Sequence, residues 1–345
     1  MSEPKAILVI RRDNIGDLVC TTPFLSALRK RFPDTWLAVY ANSYNAPILA
    51  RHPDIDEVIV YRKAKHYPDV SRLALLLERV RLVRRLRAER LDYVILAAPG
   101  EHRRQQWFAR LLAPKCIVGF AKNSYSCLDV SVPIERTQDL HEVEAVFLLA
   151  GVFGIEGPPP PLSIPVDPAE LTRIRSAIQV KRIAQQRPLA GVHISARKPS
   201  QRWPTDRFVA LMRALHRRHG CAFILFWSPG DENDPRHPGD DHKARQALEG
   251  ARGVPVLSWS THGLPSLVAG LAACDRVICS DGGAMHIAAA LGKPIVCLFG
   301  DSDPGRWRPW GRPHELLQPT SRDVADISVD DVLAAYERLS ARAAT

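Results

Sequence analysis

The 345-residue chain lacks most of the features that mark a narrow class at sight. It has only seven cysteines, at positions 20, 116, 127, 221, 274, 279 and 297, and no Cys-x-x-Cys pair. An odd, scattered set of this kind excludes a disulfide scaffold and argues against a zinc site. It reads as reduced, buried small hydrophobes in a cytosolic protein. No apolar run approaches the ~20 residues that span a bilayer. The longest candidate, 73–86, is broken by Glu78, Arg79, Arg81, Arg84 and Arg85. The opening MSEPKAILVI offers no small-residue cleavage site, so no secretory leader is expected. Glycine, at 20 residues, is far too sparse for collagen, and 46% apolar residues are too many for a disordered chain. There is no zinc-finger, RNA-recognition or basic-zipper signature, so no nucleic acid partner is expected. Nor is there a G-x-G-x-x-G fingerprint, which counts against a nicotinamide enzyme.

What is present is length, charge and alternation. At ~150 residues per domain the chain holds roughly two domains. Its 47 basic and 37 acidic residues leave a net +10, which favours anionic partners. The first half alternates short Val/Ile/Tyr-rich runs (6–10, 35–41, 56–61, 92–98, 116–120) with helical patterns at about 17–31 and 69–90. In the second of these helices Leu73, Leu76, Leu77, Val80, Val83 and Leu86 fall on one stripe, and seven arginines form a charged outer face. The sequence GPPPPLSIP (157–165) then reads as a semi-rigid linker. The second half repeats the alternation. Strands are expected at 189–195, 222–228, 254–259, 276–281 and 294–300, and helices at about 167–186, 205–218, 240–250, 263–273, 283–291 and 329–342. Strand–helix alternation implies parallel sheets, here two doubly wound α/β domains separated by a cleft.

Three segments carry chemistry. In SDGGAMHIAAALGKP (280–294), Asp281, Gly282 and Gly283 form a tight strand-to-helix turn. The helix points its free N–H groups there, a ready phosphate site, with His286 facing back from the first helical turn. A plain turn with Asp281 as N-cap explains the same residues. In IRRDNIGDLVCTTP (10–23), Asp13 and Asp17 lie at the carboxyl edge of the first strand. Either is a candidate general base, and either can simply cap the helix. In HISARKPSQRWPTDRF (193–208), a strand end bearing Ser195 leads into a basic loop. Arg197, Lys198 and Arg202 can neutralise a diphosphate there, or stand as a solvated loop.

The three segments together resemble glycosyltransferase family 9, the lipopolysaccharide heptosyltransferases, over nearly the whole chain. The resemblance rests on the G-D-x5-P loop (Gly16-Asp17 to Pro23), the basic loop before Trp203-Pro204, D-x-G-x-x-H-x-A-x-A-L-G-K-P (Asp281 to Pro294) and FG-x-x-DP (299–304). It implies a GT-B fold of two Rossmann-like doubly wound parallel-sheet domains facing across a cleft. The expected divisions are an acceptor-side domain (1–156), the linker (157–165) and a nucleotide-sugar-binding domain (166–328). A C-terminal helix (329–345) is expected to pack back on the N-terminal domain.

The resemblance also implies an activity. An inverting transfer would move heptose from ADP-heptose, the nucleotide-diphosphate sugar donor, to a hydroxyl of a lipid-linked glycan acceptor, a lipopolysaccharide core or a related surface glycan. The catalytic Asp of the family falls on Asp17. Donor contacts fall on Asp281, Gly282, Gly283 and His286, with Ser195, Arg197, Lys198 and Arg202 in the basic loop. Asp13, Arg62, Lys63, Arg103 and Arg104 are acceptor-side candidates. No cofactor and no metal are expected; Asp301-Ser302-Asp303 and the Asp/His-rich 230–242 read as loops, the latter flanking the nucleotide. Many members carry Lys two residues before the Trp, on the donor phosphate, where this chain has Gln201. The expected setting is cytoplasmic, peripheral on an anionic inner-leaflet membrane surface that the Arg-rich helix would meet. Two alternatives stand beside this reading: a GT-B enzyme using another sugar nucleotide, and a non-enzymatic basic protein on membranes or nucleic acid that keeps a degenerate nucleotide fold.

Overall fold

The computed structural model describes residues 3–62, 71–122, 127–181, 183, 188–233 and 239–342. The chain divides into two compact units between Pro165 and Val166.

The first unit runs β1 (Ala6–Ile10), α1 (Ile15–Arg31), β2 (Trp36–Asn42), β3 (Glu57–Tyr61), α2 (Arg72–Ala88), β4 (Tyr93–Leu96), α3 (Arg103–Leu111), β5 (Cys116–Ala121), β6 (Val130–Pro133) and α4 (Glu142–Phe147). Its six strands are all parallel, in the order β3-β2-β1-β4-β5-β6. Strand β1 is central and wholly buried, which is why AILVI is apolar at every position rather than alternating. Helix α1 tolerates Pro23 in its interior for a local reason. Pro23 has no N–H to offer the Val19 carbonyl, and the Thr22 hydroxyl donates to that carbonyl at 2.8 Å instead. Thr22 Oγ1 also accepts from the Ser163 backbone at 3.1 Å, and His52 Nε2 lies 3.1 Å from the Ser163 carbonyl. The later part of the proline segment is therefore tied down on the first unit.

The second unit runs α5 (Pro168–Val180), β7 (Leu189–His193), α6 (Thr205–His219), β8 (Ala222–Trp227), α7 (Asp241–Gly250), β9 (Val256–Ser260), α8 (Leu264–Ala273), β10 (Arg276–Ser280), α9 (Gly283–Ala290), β11 (Ile295–Leu298), α10 (Pro304–Trp307), β12 (His314–Leu317) and α11 (Val329–Arg342). Its parallel order, β12-β11-β10-β7-β8-β9, repeats that of the first unit. Both are the doubly wound Rossmann order, with the winding reversing between β1 and β4 and between β7 and β10. The expected Rossmann-like pair of parallel-sheet domains is thus present, each half as one unit.

Val332, Leu333, Tyr336 and Leu339 are buried in the core of the second unit, where α11 packs on α6, β11 and β12. The expected apolar stripe of α2 divides along its length. Leu86 is buried and Leu82 and Val83 pack on the sheet, whereas Leu73, Leu76, Leu77 and Val80 are exposed. The helix is longer than the sheet it covers, and its first turns run past the core.

Candidate functional site

In the first unit the chemistry gathers where β1 opens toward α1, at the switch point. Arg11 follows β1 directly and is only 1% exposed. Its Nη1 donates to the Ala97 carbonyl at 2.5 Å, bridging from the end of β1 to the end of β4. Its Nη2 lies 2.9 Å from Asp17 Oδ1 and 2.5 Å from Glu142 Oε1, and its Nε lies 3.2 Å from Asp13 Oδ2. Three carboxylates thus share one buried guanidinium. Burial pulls the Arg11 pKa down, but Glu142, Asp17 and Asp13 outweigh it and the net shift is upward, so Arg11 stays charged.

Asp17 sits in the first turn of α1, where the helix dipole favours an anion. Its Oδ2 accepts from the Asn14 backbone N–H and the Asn14 side-chain amide, each at 2.9 Å. Burial raises its pKa; the Arg11 charge and the Asn14 and Arg11 hydrogen bonds more than reverse this, and the carboxyl is held below the usual range. Each carboxylate oxygen has two lone pairs. Among the described residues Oδ2 uses both, and Oδ1 uses one on Arg11, so Oδ1 can receive a proton. The loop is fixed from the side: Asn42 and Asn45 donate to the Asp13 carbonyl at 2.7 and 3.3 Å.

In the second unit the candidates again meet at the switch point. β10 ends at Ser280, and Gly282 caps α9 with φ +153° and ψ −168°, a backbone region open essentially to glycine alone. Asp281 reaches back to the basic loop, where Gln201 Nε2 donates to Asp281 Oδ2 at 2.8 Å and to Ser302 Oγ at 3.1 Å. Burial raises the Asp281 pKa, and the Ser302, Lys198 and Gln201 contacts only partly offset it. Gly300 makes this approach possible, since a Cβ there would lie 2.2 Å from the Ser200 carbonyl. Gln318 Nε2 braces the same turn through the Gly300 and Ser302 carbonyls at 2.7 and 2.9 Å. His286 is buried in α9, its ring edge-on to Trp307 at 6.0 Å.

The rest of the basic loop divides. Ser195 Oγ accepts from the Ser228 backbone at 2.9 Å, tying the end of β7 to that of β8. Lys198 pairs with Asp301 at 3.2 Å, Arg202 donates to the Ala196 carbonyl at 3.0 Å, and Arg197 is exposed. Asp303 accepts from the Gly305 N–H as N-cap of α10, so the Asp-Ser-Asp segment is a braced turn. Trp203 is structural: its indole donates to the Ile327 carbonyl at 3.0 Å and its ring stacks edge-on against Phe208.

On the acceptor side, Arg62 lies 3.8 Å from Glu78 and, with Arg79, Tyr40 and Tyr61, lines a shallow groove open to solvent. Arg103 and Arg104 are exposed at the start of α3, and Lys63 lies outside the described residues. Sequence reasoning missed Arg11 and Glu142. The available signal was a charged pair, Arg11-Arg12, closing an otherwise apolar strand. It also missed Lys243, whose amine donates to the Ile194 carbonyl at 2.9 Å behind the basic loop. Burial, with Lys243 beside it, pushes the neighbouring His193 down to about 4 and keeps it neutral.

Known proteins share this two-domain fold. Lipopolysaccharide heptosyltransferase 3 of Escherichia coli is 25% identical over 354 residues, covering 94% of this chain and 96% of its own. A family 9 glycosyl transferase from Veillonella parvula superposes with a TM-score of 0.83 at 21% identity, over 98% of this chain and 97% of that one. The E. coli ADP-heptose lipopolysaccharide heptosyltransferase II superposes at 0.76 and 23% identity, over 99% and 100%. The sequence profile of glycosyltransferase family 9 (heptosyltransferase) matches residues 79–333. This chain belongs to that family and is a glycosyltransferase.

Proposed function

We propose that this glycosyltransferase moves heptose from ADP-heptose to a hydroxyl of a lipopolysaccharide core or related lipid-linked glycan, with inversion at the anomeric carbon. One observation carries the mechanism: Asp17 is an ionised carboxylate at the carboxyl edge of the first sheet, with one Oδ1 lone pair open to a proton. The acceptor oxygen forms a bond to the anomeric carbon. The bond from that carbon to the diphosphate oxygen breaks, and its electron pair leaves on the diphosphate. The hydroxyl proton passes to Asp17 Oδ1, a step that contributes about 10²–10⁴-fold. The growing charge on the leaving diphosphate is met by the α9 N-terminus at Gly282 and Gly283 and by Arg197, Lys198 and Arg202. The names of the relatives support the donor and acceptor class. The reaction is assigned to the cytoplasmic side of a membrane, without a metal.

The test is direct. The purified chain is given ADP-heptose and a core acceptor truncated at its heptose region, with and without EDTA. Release of ADP that requires the acceptor, survives EDTA and yields the inverted anomer by NMR is expected. Release only from UDP- or GDP-linked sugars overturns the donor assignment, and retention of configuration overturns the role of Asp17.

A further inference from the structure

We infer that the outward face of α2 and α3 is a docking surface for an anionic lipid bilayer. The starting point is the exposed apolar stripe of α2. Leu73, Leu76, Leu77 and Val80 are 40–66% exposed, and they recur at the i, i+3, i+4, i+7 spacing of a single helix face. That face is distinct from the one bearing Leu82, Val83 and Leu86, which packs on the sheet. A helix with two apolar faces has a second partner to satisfy.

The charges identify the partner. Counting onward by four and seven residues, the exposed stripe runs into Arg84 and Arg87, with Arg81 at its flank. Helix α2 carries six arginines against one acidic residue, Glu78. Its neighbour α3 presents the same chemistry. Trp107 is 70% and Leu111 50% exposed, among Arg103, Arg104 and Arg110, with no acidic residue in the helix. The helices are joined where Arg87 Nε donates to the Leu111 carbonyl at 2.7 Å. Leucines that enter an acyl boundary, an indole at headgroup depth and guanidinium groups against lipid phosphates are the composition of an interfacial helix. An acidic protein surface would meet the arginines but leave the leucines and Trp107 in water, and a second copy of this chain would set arginine against arginine.

The placement also fits the acceptor. Both helices follow strands of a parallel sheet, so both begin at its carboxyl edge, the edge that carries Asp13 and Asp17. A bilayer held on this face brings a lipid-linked glycan to the same edge. That purpose rests on the lipid-linked acceptor reading, but binding itself can be measured without turnover.

The full chain is sedimented with vesicles of phosphatidylglycerol and phosphatidylethanolamine, and with neutral phosphatidylcholine vesicles. Binding to the anionic vesicles and not to the neutral ones is expected. The exposed double variant Leu76→Ser/Leu77→Ser should lower it by about tenfold or more, with unchanged melting temperature and unchanged transfer to a lipid-free acceptor. Arg81→Glu/Arg84→Glu should lower it comparably, and wild-type binding should weaken with salt. Equal vesicle binding by wild type and Leu76→Ser/Leu77→Ser overturns the proposal. So does the absence of anionic-vesicle binding, including the case where sedimentation velocity shows a dimer that the leucine variant abolishes. Loss of vesicle binding together with intact lipid-free transfer separates this face from the reading of Asp17.

Discussion

Gln201 Nε2 donates to Asp281 Oδ2 at 2.8 Å, joining the basic loop to the β10–α9 turn. The position where the family resemblance leads one to expect a lysine is thus filled by a neutral amide that holds the turn without neutralising it. Asp281 accordingly stays above the usual carboxylate range, burial being the main cause. Replacing Gln201 with Lys places an ammonium against that carboxylate and should bring its titration down by about 1–3 units. Carboxyl-carbon NMR of Asp281 measures this directly. An unmoved titration in Gln201→Lys would show that residue 201 does not control the turn.

Asp17→Asn keeps the size of the side chain and removes its capacity to take a proton. Transfer should fall by about 10²–10⁴-fold while ADP affinity by calorimetry stays within twofold, because Asp17 lies in the other unit from the proposed donor turn. Turnover near the wild-type rate removes Asp17 as the base. A joint loss of ADP binding would instead mean that the variant is misfolded.

Arg11 makes the pH behaviour of Asp17 distinctive. The folded pKa of Asp17 is depressed, burial being outweighed by Arg11 and Asn14. Its contribution to stability is therefore present above the unfolded value of about 3.9 and is lost as pH falls through the lower folded value. In wild type the acid limb of kcat/KM that belongs to Asp17 should lie below the ordinary Asp range, leaving activity flat from about pH 5 upward. Arg11→Met removes the opposing charge and leaves the burial. The limb should then move up by about 1–3 units, and stability at neutral pH should drop by about 3–5 kcal/mol as Glu142 and Asp17 lose their shared cation. Arg11→Lys should restore part of both. An acid limb unmoved in Arg11→Met would assign it to another group.

The most sharply legible strands are those buried on both faces, where the apolar run is the whole signal; β1, β7, β8 and β10 fall within one or two residues of the expected spans, and the edge strands β3 and β9 still show enough Val, Ile and Trp to be placed. The missed strands are edges. In β6, Val-Ser-Val-Pro is mostly exposed, and in β12, His-Glu-Leu-Leu is half-buried, so neither shows a run or a clean alternation. The two glycine-bearing turns were legible because their local sequence dictates them. Arg11 and Glu142 were not, because 131 residues separate them and only the packing of α1 against α4 brings them together. The α2 stripe was legible as a stripe but not as an exposed one, since periodicity gives a face and not what lies opposite it.

Gly282 offers a test in which space and backbone can be told apart. A Cβ placed there meets nothing within 4 Å, so no clash opposes a side chain. What opposes it is φ +153° with ψ −168°, a conformation that costs an L-residue on the order of 1–3 kcal/mol. Gly282→Ala should therefore fold, since the core beneath it is untouched. It should relieve the backbone by rotating the turn, which re-aims the first N–H groups of α9. ADP should bind about tenfold or more weakly, while transfer at saturating donor falls less. Val in place of Ala adds χ1 restriction and should deepen the loss. Unchanged ADP affinity in both variants would place the diphosphate elsewhere, and the α9 terminus would be a turn and nothing more.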